Sequence, residues 1–189
     1  MNQKSEYFSI LIVDDNTETV SLLREYLRDE ADTVDGARDG IEALERYKNH
    51  RYDLIITDLS MPGMSGIELI QKIREIDDLT EFVIITAYAS IDTAIDAVRL
   101  GAFDYLIKPF RLEELRVIVK NAKEKVRLKK LNRELFLKLQ KLYQEIERYK
   151  NVGKKTEEEP KRSLPSDTEH LVDEIKRLEG LRLKMLRIE

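Results

Sequence analysis

The 189-residue sequence contains no cysteine and no apolar run long enough to cross a membrane. Without cysteine the chain forms no disulfide framework and no thiolate metal site, which suits a reducing compartment. A membrane-spanning helix needs about eighteen consecutive apolar residues, and the polar residues 1–6 lack the apolar core of a signal peptide. These absences predict a soluble, cytoplasmic protein.

Positive charge is scarce in the first part of the chain and accumulates in the last part. Residues 1–111 contain 12 Lys and Arg against 22 Asp and Glu, a net charge of −10, whereas residues 112–189 contain 21 against 15, a net charge of +6. Hydrophobic residues make up 42% of the chain, which is ample for one packed domain, while the charged 37% exceeds the usual quarter. The asymmetry predicts one acidic domain and a solvated helical extension, with a boundary near Arg111.

Four short apolar runs each end on polar side chains that can take part in chemistry. Continuous Val, Ile and Leu runs are typical of parallel strands covered on both faces, and the carboxyl ends of such strands form the rim where ligands bind. The side chains that end the runs are Asp14 and Asp15, Thr57 and Asp58, Thr86, and Lys108. The pattern therefore predicts three carboxylates, a hydroxyl and an ammonium group at one pole of a single domain.

Helical spacing follows each run, so strands and helices alternate along the first 124 residues. Asn16, Asp39 and Ser90 stand where helices are expected to begin, and each can act as an N-cap. A weak strand at Thr33–Ala37 is best placed at an edge of the sheet. Because parallel neighbours need helical crossovers, the sequence predicts an α/β fold with a five-stranded parallel doubly wound sheet in the flavodoxin-like order 2-1-3-4-5.

No strand pattern follows Leu112, where a long apolar stripe at helical spacing begins. Its later members are Leu128, Leu131, Leu135, Leu139, Leu142, Ile146 and Tyr149. This near-heptad spacing with one stutter predicts a helix over 112–150, too long for one small domain, in which residues 125–152 form a coiled coil that pairs with a second copy as a homodimer. Residues 153–168 are predicted to be a flexible linker, and residues 169–189 a terminal amphipathic helix that binds a protein partner.

The residues predicted at the rim suit phosphoryl transfer. Three carboxylates repel one another unless a cation shares the site, and carboxylate and carbonyl oxygens are ligands that Mg²⁺ prefers. Thr86 and Lys108 add the hydroxyl donor and the positive charge that a phosphoryl group requires. A carboxylate can itself act as the nucleophile and form an aspartyl phosphate.

Taken singly, each of these residues has an ordinary structural explanation. An aspartate after a strand is commonly a helix cap or a turn residue, and Thr86 and Lys108 could be a strand-end hydroxyl and a surface lysine. Their joint placement at the ends of four strands favours the functional interpretation. Two other phosphotransfer classes fit less well, since Ser60 stands where a haloacid-dehalogenase phosphatase needs a second aspartate and no glycine-rich phosphate loop follows a strand.

The motifs together resemble the receiver domain of two-component response regulators. They are Asp14-Asp15, Asp58 followed by Met61-Pro62-Gly63, Thr86-Ala87, and Lys108-Pro109-Phe110, and their order and spacing match over residues 7–124. The stretches 86–90 and 101–105 are similar to receivers of the NtrC group. The resemblance implies a receiver domain over residues 1–124 that is phosphorylated by a sensor histidine kinase.

The resemblance also implies how the acidic residues divide their roles. Asp58 would be the phosphoacceptor. Asp15 and Asp58 would bind Mg²⁺ directly together with the main-chain carbonyl of Ser60, and Asp14 would act largely through water. No conventional enzyme activity is expected beyond self-phosphotransfer and autodephosphorylation.

A second set of implied roles concerns the conformational switch. Thr86 would bond a phosphoryl oxygen, Lys108 would pair with the phosphoryl group, and Tyr105 would be the switch aromatic residue. The peptide bond before Pro109 would be cis, as proline permits. Phosphorylation would then shift a two-state equilibrium of the face formed by the fourth helix, the fifth strand and the fifth helix.

The output of such a switch has no comparable signature. Nothing after Pro109 offers GxxxxGK[ST] or a convincing helix-turn-helix. One hypothesis is a signalling protein whose coiled coil dimerises and whose last helix binds a partner. A second is a nucleic-acid-binding regulator that uses the positive tail, although mixed Lys and Glu are ordinary on a solvated coiled-coil face, so we expect no nucleic-acid partner. A third is that the chain is the N-terminal part of a larger regulator whose output domain is absent.

Overall fold

The computed structural model describes residues 7–153, and the side chains as far as Tyr149. The strands are β1 (Ser9–Val13), β2 (Thr33–Ala37), β3 (Leu54–Thr57), β4 (Glu81–Thr86) and β5 (Asp104–Ile107). The helices are α1 (Thr17–Leu27), α2 (Gly40–Asn49), α3 (Gly66–Arg74), α4 (Ile91–Arg99) and α5 (Leu112–Gly153). The linker predicted beyond Gly153 and the terminal helix predicted at 169–189 lie outside the described residues. Within the described range, no helix is both long enough and apolar enough to cross a membrane.

The strands form one parallel sheet in the order β2-β1-β3-β4-β5. Ile10 in β1 lies opposite Val34 in β2 on one side and Leu54 in β3 on the other. The predicted fold class and strand order are therefore confirmed. The weak strand β2 lies at an edge, as predicted, and only Ala37 among its residues is fully buried.

Alternate residues of the central strands point into two cores, one on each face of the sheet. Ile10 and Ile12 belong to a core formed with α1 and α5, whereas Leu11 and Val13 belong to a core formed with α2, α3 and α4. Because both faces are covered, every residue of β1 is buried. This double coverage explains why the strands appear in the sequence as continuous rather than alternating apolar runs.

The helices begin where the capping residues predict. Asn16 accepts hydrogen bonds from the main-chain N–H groups of Glu18 and Thr19, and Asp39 accepts one from Glu42. Ser90 forms a reciprocal capping box with Thr93. The three predicted N-caps are confirmed, and each fixes the direction in which the chain leaves the rim of the sheet.

Helix α5 packs against the first part of the chain over more of its length than the sequence predicts. Val126 is buried in the core, and the chain divides into two units between Lys130 and Leu131, six residues beyond the predicted receiver end at 124. The helix itself continues to Gly153, three residues beyond its predicted end. The helix therefore contributes about half of its length to the first unit.

Ion pairs at the amino ends of the strands explain this longer attachment. Both carboxylate oxygens of Glu81, which is fully buried at the start of β4, are engaged: Oε2 lies 3.1 Å from Nζ of Lys125 and Oε1 lies 2.6 Å from Nζ of Lys129. Asp53, just before β3, lies 2.7 Å from Nζ of Lys130. We call these five residues the basal ion-pair cluster.

Candidate functional site

Four of the side chains predicted to take part in chemistry, those of Asp14, Asp58, Thr86 and Lys108, lie at the carboxyl ends of neighbouring strands. Main-chain hydrogen bonds continue the sheet one residue past three of the strands. The N–H group of Asp14 donates to the carbonyl of Ala37 at 3.2 Å, and that of Asp58 donates to the carbonyl of Val13 at 2.9 Å. The N–H group of Lys108 donates to the carbonyl of Thr86 at 2.8 Å. Since the backbone remains in register there, the side chains of these residues are held at one rim of the sheet.

Lys108 joins the two buried carboxylates of this rim. Its Nζ atom lies 2.7 Å from Oδ2 of Asp14 and 2.6 Å from Oδ2 of Asp58. Both aspartates are buried, with 4% and 8% of their surface exposed. In a site this poor in water, one ammonium group shared by two carboxylates neutralises part of their mutual repulsion.

The environment of Lys108 raises its pKa above the ordinary lysine value. Partial burial by itself lowers the pKa, since desolvation penalises the ammonium, but the hydrogen bonds to Asp14 and Asp58 and their negative charges outweigh that effect. Lys108 is therefore a fixed positive charge at neutral pH. Such a charge suits an incoming anionic group.

The carboxylate of Asp58 is oriented through both of its oxygens. Oδ1 accepts a hydrogen bond of 3.0 Å from the main-chain N–H of Ser60, and Oδ2 faces Lys108. Its main-chain carbonyl accepts a hydrogen bond from the Thr57 hydroxyl and lies so close to Gly66 that a Cβ atom there would collide with it. The start of α3 therefore packs directly behind Asp58, which only glycine at position 66 permits.

The other two acidic residues differ in exposure. Oδ1 of the buried Asp14 accepts a hydrogen bond from the main-chain N–H of Asn16, while Asp15 is exposed to solvent. In the part of the chain that the structure describes, three or more acidic or imidazole side chains do not gather into a group that could hold a metal by themselves. The donors at this rim are carboxylate and carbonyl oxygens, and Mg²⁺ commonly binds through one or two carboxylates and completes its shell with water and phosphate oxygens.

Thr86 ends β4, and Tyr105 lies near the start of the neighbouring strand β5, where it pairs with Ile84. The Thr86 side chain is fully buried, and its hydroxyl oxygen accepts a hydrogen bond of 3.1 Å from the main-chain N–H of Tyr88. The hydroxyl of Tyr105 shares a hydrogen bond of 3.0 Å with Oγ1 of Thr93 in α4. The Lys108–Pro109 peptide bond is cis.

The sequence alone did not indicate three of these contacts. The hydrogen bond between Thr93 and Tyr105, the role of the Ser60 N–H group and the close approach of Gly66 to Asp58 all depend on how the elements pack. A partial signal exists for Thr93, since Ser90 followed three residues later by a hydroxyl residue has the spacing of a capping box. The contact of Thr93 with β5 has no signal in the local sequence.

Comparison with known proteins defines the class to which this fold and site belong. Residues 10–120 match the family model of the response regulator receiver domain. The chain therefore belongs to the response regulator receiver domain family of two-component systems, with a long C-terminal helix after the receiver.

Individual relatives agree with this assignment. The chain is 37% identical over 123 residues to the transcriptional regulatory protein ZraR of Klebsiella oxytoca, an NtrC-type regulator. The alignment covers 65% of this chain and 28% of ZraR. It is 37% identical over 120 residues to the sporulation initiation phosphotransferase F of Bacillus subtilis, which covers 64% of this chain and 93% of that protein. The chain thus spans about a quarter of the length of ZraR and nearly all of the phosphotransferase.

A solved structure with the same fold contains a bound metal. It is a response regulator protein of Thermotoga maritima in complex with Mg(2+)-BeF, with a TM-score of 0.55 and 35% sequence identity. The alignment covers 61% of this chain and 98% of that structure. The predicted resemblance to receiver domains, including those of the NtrC group, is confirmed by these comparisons.

Proposed function

We propose that this chain is a phosphorylatable response regulator that accepts a phosphoryl group on Asp58 from a sensor histidine kinase. The observation that carries the proposal is the junction of Asp14, Asp58 and Lys108 at the carboxyl rim of the sheet, with ion-pair distances of 2.7 and 2.6 Å. Both carboxylates paired with Lys108 also accept a main-chain N–H group on their other oxygen, Asp14 from Asn16 and Asp58 from Ser60, so Asp58 is assigned as the phosphoacceptor on its match to the receiver motif. The contacts with Lys108 and Ser60 hold Asp58 in one orientation for in-line attack.

Phosphoryl transfer to Asp58 needs no reactant besides the phosphohistidine of the kinase. A carboxylate oxygen of Asp58 attacks the phosphorus atom of the kinase phosphohistidine, a P–O bond forms, and the P–N bond breaks with its electron pair passing to the imidazole nitrogen. As the phosphoryl group arrives, the Lys108 ammonium can exchange its contact with Asp58 for a phosphoryl oxygen, since both are anionic oxygens at the same place. The Thr86 hydroxyl supplies a second donor once it turns toward the site.

The same residues would hold Mg²⁺. We assign Asp15, Asp58 and the main-chain carbonyl of Ser60 as direct ligands and Asp14 as a ligand acting largely through water. The support is the chemistry of this donor set, all hard oxygens, and the solvent exposure of Asp15, which leaves its carboxylate accessible to a hydrated ion. When bound, Mg²⁺ would supply positive charge that offsets the negative charge of the phosphoryl oxygens and of the carboxylates that hold it.

The switch would run from Thr86 to Tyr105 and α4. Turning the Thr86 hydroxyl toward the phosphoryl group costs the hydrogen bond from Tyr88 and empties space beside β5, into which Tyr105 can rotate after leaving Thr93. The surface beyond these residues is already apolar, with exposed side chains at Ile91, Ile95, Val98 and Ile107. The face of α4, β5 and α5 is therefore the proposed signalling surface.

Dimerisation would use the second half of α5, where a stripe of leucines remains exposed. A helix with exposed leucines at near-heptad spacing is expected to pair with another helix that buries them. The proposed cellular setting is the cytoplasm, where histidine kinases present their phosphoryl donors. The predicted terminal helix at 169–189 remains the candidate for binding a downstream protein.

Transcriptional regulation is a second candidate, favoured by the name and the greater length of ZraR, of which the chain covers 28%. In that case the chain is the N-terminal part of a DNA-binding regulator. The positive charge of α5 gives this candidate little support, because Lys125, Lys129 and Lys130 are engaged by acidic residues of the receiver. Binding of the full chain to duplex DNA with a steep salt dependence would support the second candidate.

Incubation with acetyl phosphate and Mg²⁺ tests the phosphoacceptor. Mass spectrometry of the intact protein should find one added phosphoryl group, and Asp58→Asn should abolish it because an amide is not a nucleophile. The exposed Asp92 in α4 provides a matched control, since Asp92→Asn should leave the adduct unchanged. An undiminished adduct in Asp58→Asn would refute the assignment.

A further inference from the structure

The exposed stripe on the second half of α5 includes one polar residue at a core position. Leu135, Leu142 and Tyr149 are spaced seven residues apart, and Leu139 and Ile146 stand four residues after the first two of them. These are the d and a positions of a heptad repeat, and the next a position toward the N-terminus is the exposed Asn132. With Asn132 included, the repeat runs from 132 to 149 without a stutter.

The side chains of this repeat are available to another helix. Leu135, Leu139 and Leu142 are 48%, 38% and 54% exposed, and Tyr149 is 79% exposed. No a or d position between 132 and 149 carries a charge. A helix that leaves four large apolar side chains in water along one line is expected to bury them against a helix of matching pattern.

We propose that residues 132–149 form a parallel, in-register, two-stranded coiled coil with the same residues of a second copy, in which the two Asn132 side chains bond to each other. This deepens the proposed function, because it rests on dimerisation through α5 and adds the orientation and register of the two chains. The interaction surface consists of Asn132, Leu135, Leu139, Leu142, Ile146 and Tyr149.

The chemistry of Asn132 selects the parallel arrangement. In a parallel pair each a residue faces the same residue of the other chain, so the carboxamide donor of one Asn132 meets the carbonyl acceptor of the other. In an antiparallel pair an a residue faces a d residue, and the d residues of this repeat are Leu135, Leu142 and Tyr149. With full antiparallel overlap Asn132 faces Tyr149, whose single hydroxyl at the end of a rigid ring matches the carboxamide less well than a second carboxamide does. In shifted registers Asn132 faces a leucine and loses its hydrogen bonds to water without replacement.

Self-association also fits the polar residues beside the stripe. In a parallel pair a g position faces the e position of the following heptad in the other chain, which places Lys138 beside Tyr143 of the second copy. A lysine beside a tyrosine ring is a favourable contact. A foreign helix would have to supply both a matching amide and the same apolar spacing, whereas a second copy supplies both by symmetry.

The absence of cysteine makes the full chain suitable for a cross-linking test. Leu142→Cys places a thiol at a d position, where it faces its own equivalent in the proposed dimer. Gln144→Cys, the matched control, places one at the f position on the opposite side of the helix. Under mild oxidation we expect a disulfide-linked dimer from Leu142→Cys and none from Gln144→Cys.

An antiparallel pair gives a different pattern. Leu135→Cys and Ile146→Cys leave Asn132 in place and lie toward opposite ends of the repeat, so an oxidised mixture of these two variants cross-links to each other only if the chains run in opposite directions. That mixed product, with no product from Leu142→Cys, would overturn the proposal and leave dimerisation intact. A monomer mass for the unmodified chain by light scattering would overturn both, while the acetyl phosphate reaction of Asp58 tests the receiver independently.

Replacement of Asn132 tests its role in selecting the orientation. Asn132→Leu should keep the association but lose its selectivity, so that the mixed product appears beside the Leu142→Cys product or the mass rises above that of a dimer. Asn132→Gln, which keeps a carboxamide, should retain the parallel pattern. Unchanged exclusive cross-linking and unchanged mass in Asn132→Leu would show that Asn132 does not specify the arrangement.

Discussion

Lys108 carries the positive charge that allows Asp14 and Asp58 to share a buried site. Lys108→Met should lower the free energy of unfolding by about 1–3 kcal/mol at neutral pH, because two carboxylates are then left facing each other without a counter-charge; partial solvent screening of the lysine keeps the loss below that of a fully buried pair. Adding Mg²⁺ should recover part of the loss. Urea denaturation with and without Mg²⁺ measures both effects.

Lys48 is the matched control for this substitution, since it is an exposed lysine in α2. Lys48→Met should leave the free energy of unfolding almost unchanged. Equal stability of Lys108→Met and the unmodified protein, with no response to Mg²⁺, would contradict the proposed electrostatic role.

Tyr52 should make the free energy of unfolding depend on pH in the alkaline range. Its burial, together with the hydrogen bond of 2.8 Å that its hydroxyl donates to Asp35, raises its pKa to about 12. Because the folded-state pKa is raised, the resulting stabilisation is complete below the ordinary tyrosine value of about 10 and is lost as the pH rises through about 12. The buried Tyr47, whose pKa is also raised chiefly by burial, should likewise ionise late.

Phenolate absorbance tests this prediction, and the absence of tryptophan simplifies the spectrum. Tyr52→Phe should remove one late transition from the alkaline titration. Asp35→Asn should shift that transition to lower pH, because the negative charge that opposes ionisation of Tyr52 is gone. A late transition that survives unchanged in Tyr52→Phe would assign it to another tyrosine.

At the scale of the elements, the attachment of α5 includes a buried charge. Glu81 is fully buried and faces Lys125 and Lys129, which are 44% and 32% exposed. Glu81→Gln should reduce the free energy of unfolding by about 1–3 kcal/mol, since a neutral amide cannot pair with two ammonium groups that remain in place. Denaturant titration measures the loss.

Hydrogen exchange locates the effect of the same substitution. Amides of α5 near residues 125–130 should exchange faster in Glu81→Gln, while those around Asp58 should be unaffected, because the basal cluster lies at the other ends of the strands. Glu45→Gln, at an exposed glutamate of α2, is the control. Uniformly faster exchange over the whole receiver would instead indicate a general loss of stability.

For the molecule as a whole, we expect charge complementarity to set how far α5 is held by the receiver. Of the net charge of +6 in residues 112–189, residues 112–130 hold 7 Lys and Arg against 3 Asp and Glu, a net +4, and residues 131–189 hold 14 against 12, a net +2. The more basic segment is the one that faces the acidic receiver. At least three of its lysines, Lys125, Lys129 and Lys130, form ion pairs with acidic residues of the receiver.

Truncation tests this boundary. A chain ending at Lys130 keeps Val126 and the basal ion-pair cluster, whereas one ending at residue 124 loses the buried valine and three lysines. The longer chain should be more stable by about 2–4 kcal/mol, to which burial of Val126 contributes about 1.5 kcal/mol or more. Thermal or urea denaturation of the two chains measures the difference. Equal stability would place the end of the receiver at 124.

Light scattering of the chain that ends at Lys130 and of the full chain tests which part forms the dimer. The chain ending at Lys130 lacks residues 131–149 and should be a monomer, while the full chain should be a dimer. A dimer of the shorter chain would assign dimerisation to the receiver rather than to the second half of α5.

The strands, their order and the helix caps could be predicted from the sequence because they depend on residues close together in the chain. The order of the five strands, the edge position of β2 and the N-caps Asn16, Asp39 and Ser90 follow from hydrophobic runs, crossover length and local hydrogen bonding. The placement of Asp14, Asp58, Thr86 and Lys108 at one rim follows as well, because parallel strands end on the same side. Residue type and position along the chain were sufficient for these conclusions.

Tertiary structure decided the properties that depend on residues far apart in the chain. Glu81 is an unremarkable surface residue by its type, yet it is fully buried because lysines 44 and 48 residues later reach it from α5. In the same way, only packing joins Thr93 to Tyr105 and sets Gly66 against the Asp58 carbonyl. The sequence by itself determined the fold and which polar residues stand at the ends of the strands, since both follow from local pattern. The partners of Glu81, the contact of Thr93 with Tyr105 and the length of α5 held against the first unit required distant segments to meet in three dimensions.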